Sequence, residues 1–236
     1  MKHLISINDL DKQEIKNILD VARDLKDKHQ KQEVHKPLAG KTLGMIFSKA
    51  STRTRVSFEV GMYQLGGHAL FLSASDMQLN RGETIADTAK TLSRYLDAVM
   101  VRTYDHEDIV HMATHATIPV INGLSDLLHP CQVLADVYTI KEKKGNLKEL
   151  KIVYIGDGDN VAHSWAYAAG KLGLKLVICT PEDYKPNAQI LKEASSKAKE
   201  RGGSIDVLVE PQIAAQDADI IYTDIWVSMG KEEESS

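Results

Sequence analysis

Cysteine is scarce in this sequence. Cys131 and Cys179 are the two in 236 residues, too few for a disulfide framework and at no metal-binding spacing. No apolar run approaches the roughly 20 residues that a bilayer-spanning helix needs. The opening segment MKHLISINDLDKQE has neither the apolar stretch nor the small-residue cleavage site of a secretion signal. A dominant charge is also missing: 29 basic against 33 acidic residues give a net charge of −4. That balance argues against a general nucleic-acid or membrane-surface binder. There is no internal repeat. The nine histidines are scattered; His111 and His115 stand four apart on an expected helix, where a solvated face is the simpler reading than a metal pair. Neither cofactor nor metal is expected, and a reduced cytoplasm is the compartment these absences favour.

What is present is ordinary in bulk and informative in order. Hydrophobic residues make up 43% and charged residues 26%, as in a soluble globular protein long enough for one large domain or two smaller ones. An Asp11-x-x-Glu14 capping box opens a helix whose apolar positions Ile15, Ile18, Leu19, Ala22 and Leu25 recur at helical spacing. A strand over 42–47 leads to a helix ended by Gly66 and Gly67; its apolar residues fall on two faces, which predicts burial on most sides. Strands at 68–72, 98–101 and 118–121 alternate with helices near Ile85, after Asp105 and from Pro130. The charged segment KEKKGNLKEL, 141–150, reads as the connection between two halves. Beyond it come strands at 151–155, 175–179, 205–208 and 219–222, with helices at 161–172 and 187–201. Such alternation implies an α/β protein of two domains, 1–140 and 150–236, each a parallel β-sheet flanked by helices. Ligands of such sheets sit beyond the carboxyl ends of the strands.

One stretch occupies that position with unusual chemistry. In FSKASTRTRVSFEVG, residues Ser51, Thr52, Arg53, Thr54 and Arg55 follow a strand and open a helix. Unpaired amides and the helix dipole make such a turn suitable for an anion, and a guanidinium grips phosphate bidentately. A plain N-cap followed by surface arginines is equally compatible with the spacing. Two other strand ends shift the balance: Arg102 follows AVMV, and His129-Pro130-Cys131-Gln132 follows PVIN and its loop, both expected at the same sheet edge. Arg, His, Gln and a hydroxyl around one anion could also polarise a carbonyl oxygen.

STRTR, VRTYDHED, HPCQ and DIWVSMG, in this order, resemble the aspartate/ornithine carbamoyltransferase superfamily, and the element from Asp224 to Gly230 resembles its ornithine branch. The resemblance runs from the first helix to the last residue. It implies transfer of the carbamoyl group of carbamoyl phosphate to the δ-amine of L-ornithine, giving L-citrulline and phosphate, in arginine biosynthesis. Ser51, Thr52, Arg53 and Thr54 would hold the phosphate with Arg55 beside them. Thr54, Arg102 and His129 would surround the carbamoyl oxygen, with Arg55, Arg102 and His129 as the catalytic set, and Gln132 would hold the carbamoyl amide. Gln78 would reach into a neighbouring subunit of a homotrimer. Asn160, Asp224, Ser228 and Met229 would bind ornithine. No cofactor is implied.

The chain ends at GKEEESS, soon after that element. The resemblance leads one to expect a later His-Cys-Leu-Pro motif, an arginine and a final helix, so the second domain is expected to be incomplete, with weakened stability or solubility. Three alternatives stand beside the main reading. One is a non-catalytic module that binds carbamoyl phosphate; another is a carbamoyltransferase with a different amine acceptor. The third, a dinucleotide-dependent oxidoreductase, draws on KIVYIGDGDNVAHS, a strand with Gly156-x-Gly158 before a helix. There Val161 occupies the third glycine position, which weakens it.

Overall fold

A computed structural model describes residues 2–78 and 82–224. It contains two four-stranded, all-parallel sheets, each in its own compact unit. Met1–Ile5 with Lys16–Asp126 make the first unit, and Ser6–Ile15 with Leu127–Ser236 the second. The helix that begins at Pro130 therefore belongs to the second unit.

Helix α1, Lys12–Gln30, starts at the expected capping box: the Asp11 amide donates to Glu14 at 2.7 Å and the Glu14 amide to Asp11 at 2.8 Å. In the first unit, strand β1 (Thr42–Phe47) is followed by helix α2 (Thr52–Gln64) and strand β2 (His68–Ser73). Then come α3 (Ile85–Leu92), β3 (Ala98–Arg102), α4 (His106–His115) and β4 (Val120–Leu124). The strand order is β2-β1-β3-β4. Strands β1 and β3 are buried on both faces, which explains their near-continuous apolar sequences TLGMIF and AVMVR. On one face Leu43, Met45, Phe47 and Met100 pack with Phe58 and Met62 of α2. On the other, Ile46, Val99, Val101 and Val120 pack with residues of α3 and α4.

The expected burial of α2 on most sides does not hold: none of its residues is buried. Phe58 and Met62 cover the sheet, whereas Val56 is 51% and Tyr63 81% exposed. The reason is geometric. A helix laid on one sheet face covers it with a single stripe, and the second apolar stripe of this sequence has nothing over it among the described residues of the unit.

The second unit holds α5 (Pro130–Lys144), β5 (Lys151–Ile155), α6 (Asn160–Leu172), β6 (Lys175–Cys179), α7 (Ala188–Glu200), β7 (Ser204–Leu208), α8 (Pro211–Ala215) and β8 (Ile220–Thr223). Its strand order is β7-β6-β5-β8. Val153, Val177 and Cys179 face Ala214 of α8. Trp165 of α6 lies edge-on to Tyr222, which stacks on Tyr154. Helix α8 is absent from the sequence-based expectation: five residues are too few for a periodic signal.

Both sheets reverse direction once. In the first, β2 lies on one side of β1 and β3 on the other; in the second, β6 and β8 flank β5. Beyond the carboxyl ends of the strands, such a reversal leaves a crevice where ligands of open α/β sheets bind. The β1/β3 reversal ends at Phe47 and Arg102, which are register partners. The β5/β8 reversal ends at Ile155 and Thr223, likewise partners, and Asp224 comes next.

Candidate active site

At the β1/β3 crevice the chain turns from strand to helix. Ser51 is extended (φ −161°, ψ 116°) and caps α2, its Oγ accepting from the Thr54 amide at 3.3 Å. The Ser51 hydroxyl also donates to Thr54 Oγ1 at 3.0 Å. As in any helix, the first amides of α2 have no acceptor inside it. The Ser48 amide donates to the Arg102 carbonyl at 2.9 Å, which ties the turn to the end of β3.

Arg102 is the centre of this arrangement. It is 3% exposed, and its Nη1 donates to Thr54 Oγ1 at 3.3 Å. Its Nε is buried with no hydrogen-bond partner among the described residues. Burial lowers its pKa, and the neighbouring charge of Arg53 lowers it further. Among the described residues neither arginine is paired with a carboxylate. Two cations at a helix N-terminus, one buried and with an unfilled N–H, have the chemistry that suits an anion.

Arg55 is directed elsewhere. Its Nε donates to Glu59 at 2.9 Å, and its guanidinium lies 3.8 Å from the centroid of the Phe71 ring. Thr52 and Arg53 are exposed at the cap. Gln78 is exposed beyond the end of β2, its carbonyl accepting from the Glu83 amide at 3.2 Å. Lys49, which sequence reasoning passed over, is buried in this turn with its Nζ 5.0 Å from the Tyr104 ring centroid. Its place between a strand and a cap is the signal that could have found it.

The second unit carries the remaining candidates. His129 caps α5, with Pro130 in the first turn. Its amide donates to Ser164 Oγ at 2.8 Å, and Ser164 Oγ donates to the Asn160 carbonyl at 2.8 Å. The N-cap of α5 is thus tied to the first turn of α6, the helix that opens at Asn160, through one hydroxyl. Two residues before His129, the Leu127 carbonyl lies 3.0 Å from Nδ1 of buried His163. Gln132 Nε2 donates to Asp136 Oδ1 at 2.9 Å. Asp136 and Tyr222 were missed by sequence reasoning, although the four-residue spacing of Gln132 and Asp136 places both on one helix face. Asp224 follows β8 and is exposed. Ser228 and Met229 lie outside the described residues. Burial pushes the Cys131 thiol up to about 12, which favours the thiol over the thiolate.

The Gly156-x-Gly158 loop is already filled. The Gly158 amide donates to the Tyr184 carbonyl at 2.8 Å, and a Cβ at Gly158 would lie 2.3 Å from that oxygen. The glycine admits the 184–186 backbone, which leaves no close approach for a pyrophosphate.

An arginine-rich strand end on one parallel sheet and an acid after the switch-point strand of a second are the candidate site of a two-domain α/β protein, and sequence comparison specifies the kind. Residues 2–142 match the aspartate/ornithine carbamoyltransferase carbamoyl-P binding domain, and residues 148–236 match the Asp/Orn binding domain of the same family. The chain belongs to the aspartate/ornithine carbamoyltransferase family.

Within it, the chain is 56% identical over 234 residues to the anabolic ornithine carbamoyltransferase of Pyrococcus furiosus, covering 99% of this chain and 74% of that protein. It is 54% identical over 233 residues to the ornithine carbamoyltransferase of Oceanobacillus iheyensis, covering 99% and 72%. The solved P. furiosus ornithine carbamoyltransferase superposes with a TM-score of 0.95 at 55% identity, covering 100% of this chain and 75% of that one. The anabolic enzyme of Campylobacter jejuni gives 0.91 at 42% identity, covering 99% and 76%. The chain thus spans about three-quarters of the length of these relatives. Among the described residues no helix is long and apolar enough to cross a membrane, and no group of three potential ligands could hold a metal ion.

Proposed function

We propose that this chain transfers the carbamoyl group of carbamoyl phosphate to the δ-amine of L-ornithine, releasing L-citrulline and phosphate. The observation that carries the reading is the Arg102 guanidinium: buried, bonded to Thr54, repelled by Arg53, and with Nε unfilled. The ligand that satisfies all four conditions is a small dianion with a carbonyl-type acceptor beside it. Ser51, Thr52, Arg53 and Thr54 hold the phosphate through side chains and first-turn amides. Arg102 and Thr54 serve the carbamoyl oxygen, with His129 in the same role, and Gln132 holds the carbamoyl amide. Arg55 contributes to the phosphate only by leaving Glu59. Asn160, Asp224, Ser228 and Met229 bind ornithine, with the Asp224 carboxylate suited to its α-ammonium group.

The chemistry follows from positioning. The neutral δ-amine attacks the carbonyl carbon, and charge develops on the oxygen facing Arg102. The C–N bond forms and the C–O bond breaks. Phosphate leaves with the electron pair, and the surplus amine proton passes to it or to water. Electrophilic donors of this kind contribute about a hundredfold or more each.

The same reading makes the protein a cytoplasmic homotrimer in arginine biosynthesis, with Gln78 serving a neighbouring subunit. The uncovered Val56, Val60 and Tyr63 stripe supports an assembly. Carbamoyl transfer from carbamoyl phosphate, read as citrulline with ornithine and as N-carbamoylaspartate with aspartate as acceptor, tests the proposal. Product with ornithine alone upholds it; product with aspartate alone replaces the acceptor. Saturable carbamoyl phosphate binding without product leaves a non-catalytic binding module.

A further inference from the structure

We propose that Asp136 is a positioning residue that fixes the orientation of the Gln132 side-chain amide, so that Gln132 presents its carbonyl oxygen rather than its NH2 to the carbamoyl group. The inference rests on the role given to Gln132 above. The two residues share one face of α5, with Gln132 Nε2 donating to Asp136 Oδ1 at 2.9 Å. The Tyr222 hydroxyl of β8 faces both side chains. A carbamoyl NH2 has two donors and needs an acceptor. A free glutamine amide can offer either end, and its NH2 end meets the carbamoyl NH2 donor to donor. An ionised carboxylate only accepts hydrogen bonds. It therefore takes the NH2 of Gln132 and leaves Oε1 for the substrate.

The arrangement holds while Asp136 is ionised. Its Oδ2 is buried without a hydrogen-bond partner among the described residues, so the charge is poorly solvated. Burial pushes its pKa up to about 6; the hydrogen bonds of Gln132 and Tyr222 lower it, and the charge of Asp224 raises it. Tyr222 and Asp224 are the titratable groups that face it. Protonated Asp136 can donate to Oε1, and the amide turns round. Carbamoyl recognition therefore weakens as pH falls through about 6, while recognition of a bare phosphate does not depend on this pair.

Calorimetric titration of the whole chain with carbamoyl phosphate and with inorganic phosphate tests this, comparing wild type with Asp136→Asn at about pH 7.5 and about pH 5.5. At a given pH, the ratio between the two proteins cancels the ligands' own protonation. Asparagine both donates and accepts, so it enforces no orientation. At the higher pH we expect Asp136→Asn to bind carbamoyl phosphate roughly 3- to 10-fold more weakly and inorganic phosphate equally. At the lower pH the difference falls below about twofold, and in a Gln132→Ala background it vanishes. Equal losses for both ligands, no loss at the higher pH, or a loss that persists at the lower pH overturns the proposal. If Asp136→Asn does not fold, Tyr222→Phe takes its place. It raises the Asp136 pKa and moves the midpoint of the carbamoyl-to-phosphate preference to higher pH; an unmoved midpoint is the contrary result. A wild type that shows no preference for carbamoyl phosphate at any pH refutes the role of Gln132 itself, a different failure.

Discussion

Replacing Arg102 by methionine sets stability against activity. A buried arginine that holds a fold together is expected to destabilise it when removed; one kept for a ligand is expected to do the reverse. Here the Nε hydrogen is buried and unfilled, a deficit of about 1–3 kcal/mol. Against it stands the bond to Thr54 at 3.3 Å, worth about 0.5–1.5 kcal/mol. The repulsion from Arg53 adds to the deficit. The ligand-free Arg102→Met variant is therefore expected to be as stable as the wild type or up to about 2 kcal/mol more stable. At about 2–4 °C per kcal/mol for a chain of this size, the melting temperature stays level or rises by a few degrees. Citrulline formation falls at least about a hundredfold, since the donor to the developing oxyanion is gone. Calorimetric or spectroscopic melting without ligand, paired with a steady-state citrulline assay, reads both. A variant several degrees less stable that keeps most of its kcat/KM refutes the reasoning.

Other expectations follow from the same geometry. Ser51→Ala removes the cap of α2 and should cost about 1 kcal/mol in unfolding free energy, read by denaturant titration, together with weaker phosphate binding. Gly158→Ala drives a methyl into the Tyr184 carbonyl and should destabilise by about 1–3 kcal/mol in thermal unfolding; a neutral result contradicts the packing account of that glycine. His163 is held neutral, with Nδ1 against the Leu127 carbonyl and Nε2 accepting from the Asn187 amide, and burial lowers its pKa below 6.5. The unfolded chain then binds more protons below pH 6.5, so stability declines from there downward until the folded ring protonates as well. His163→Gln should flatten that slope in a series of melts. Because the δ-amine must be neutral and resembles lysine, with a pKa of ~10.4, activity should climb on the alkaline side; a flat pH–rate profile opposes the mechanism.

Most elements were legible in the sequence because their signals are local. The capping box at Asp11, the two-glycine stop after α2 and Pro130 in the first turn of α5 each act within a turn of the chain. The parallel strands gave themselves away as short apolar runs, as expected when both faces are covered. What escaped is set by tertiary packing. The exposure of one α2 stripe depends on how a single helix lies on the sheet, which periodicity does not encode. Likewise, the Ser51–Thr54–Arg102 contacts were foreseeable as strand ends, but the turning of Arg55 toward Glu59 and Phe71 was not. Asp136 and Tyr222 escaped for another reason. Their neighbourhood joins a helix and a strand 86 residues apart, a distance in sequence that no motif spans.

The most direct test of the anion cradle is a calorimetric titration of carbamoyl phosphate into the wild type and into Thr54→Val, which deletes the hydroxyl shared by Ser51 and Arg102. Saturable binding by the wild type, weakened about tenfold or more in the variant, is the predicted result. Equal affinity in the two proteins, or no saturable binding by the wild type, contradicts it.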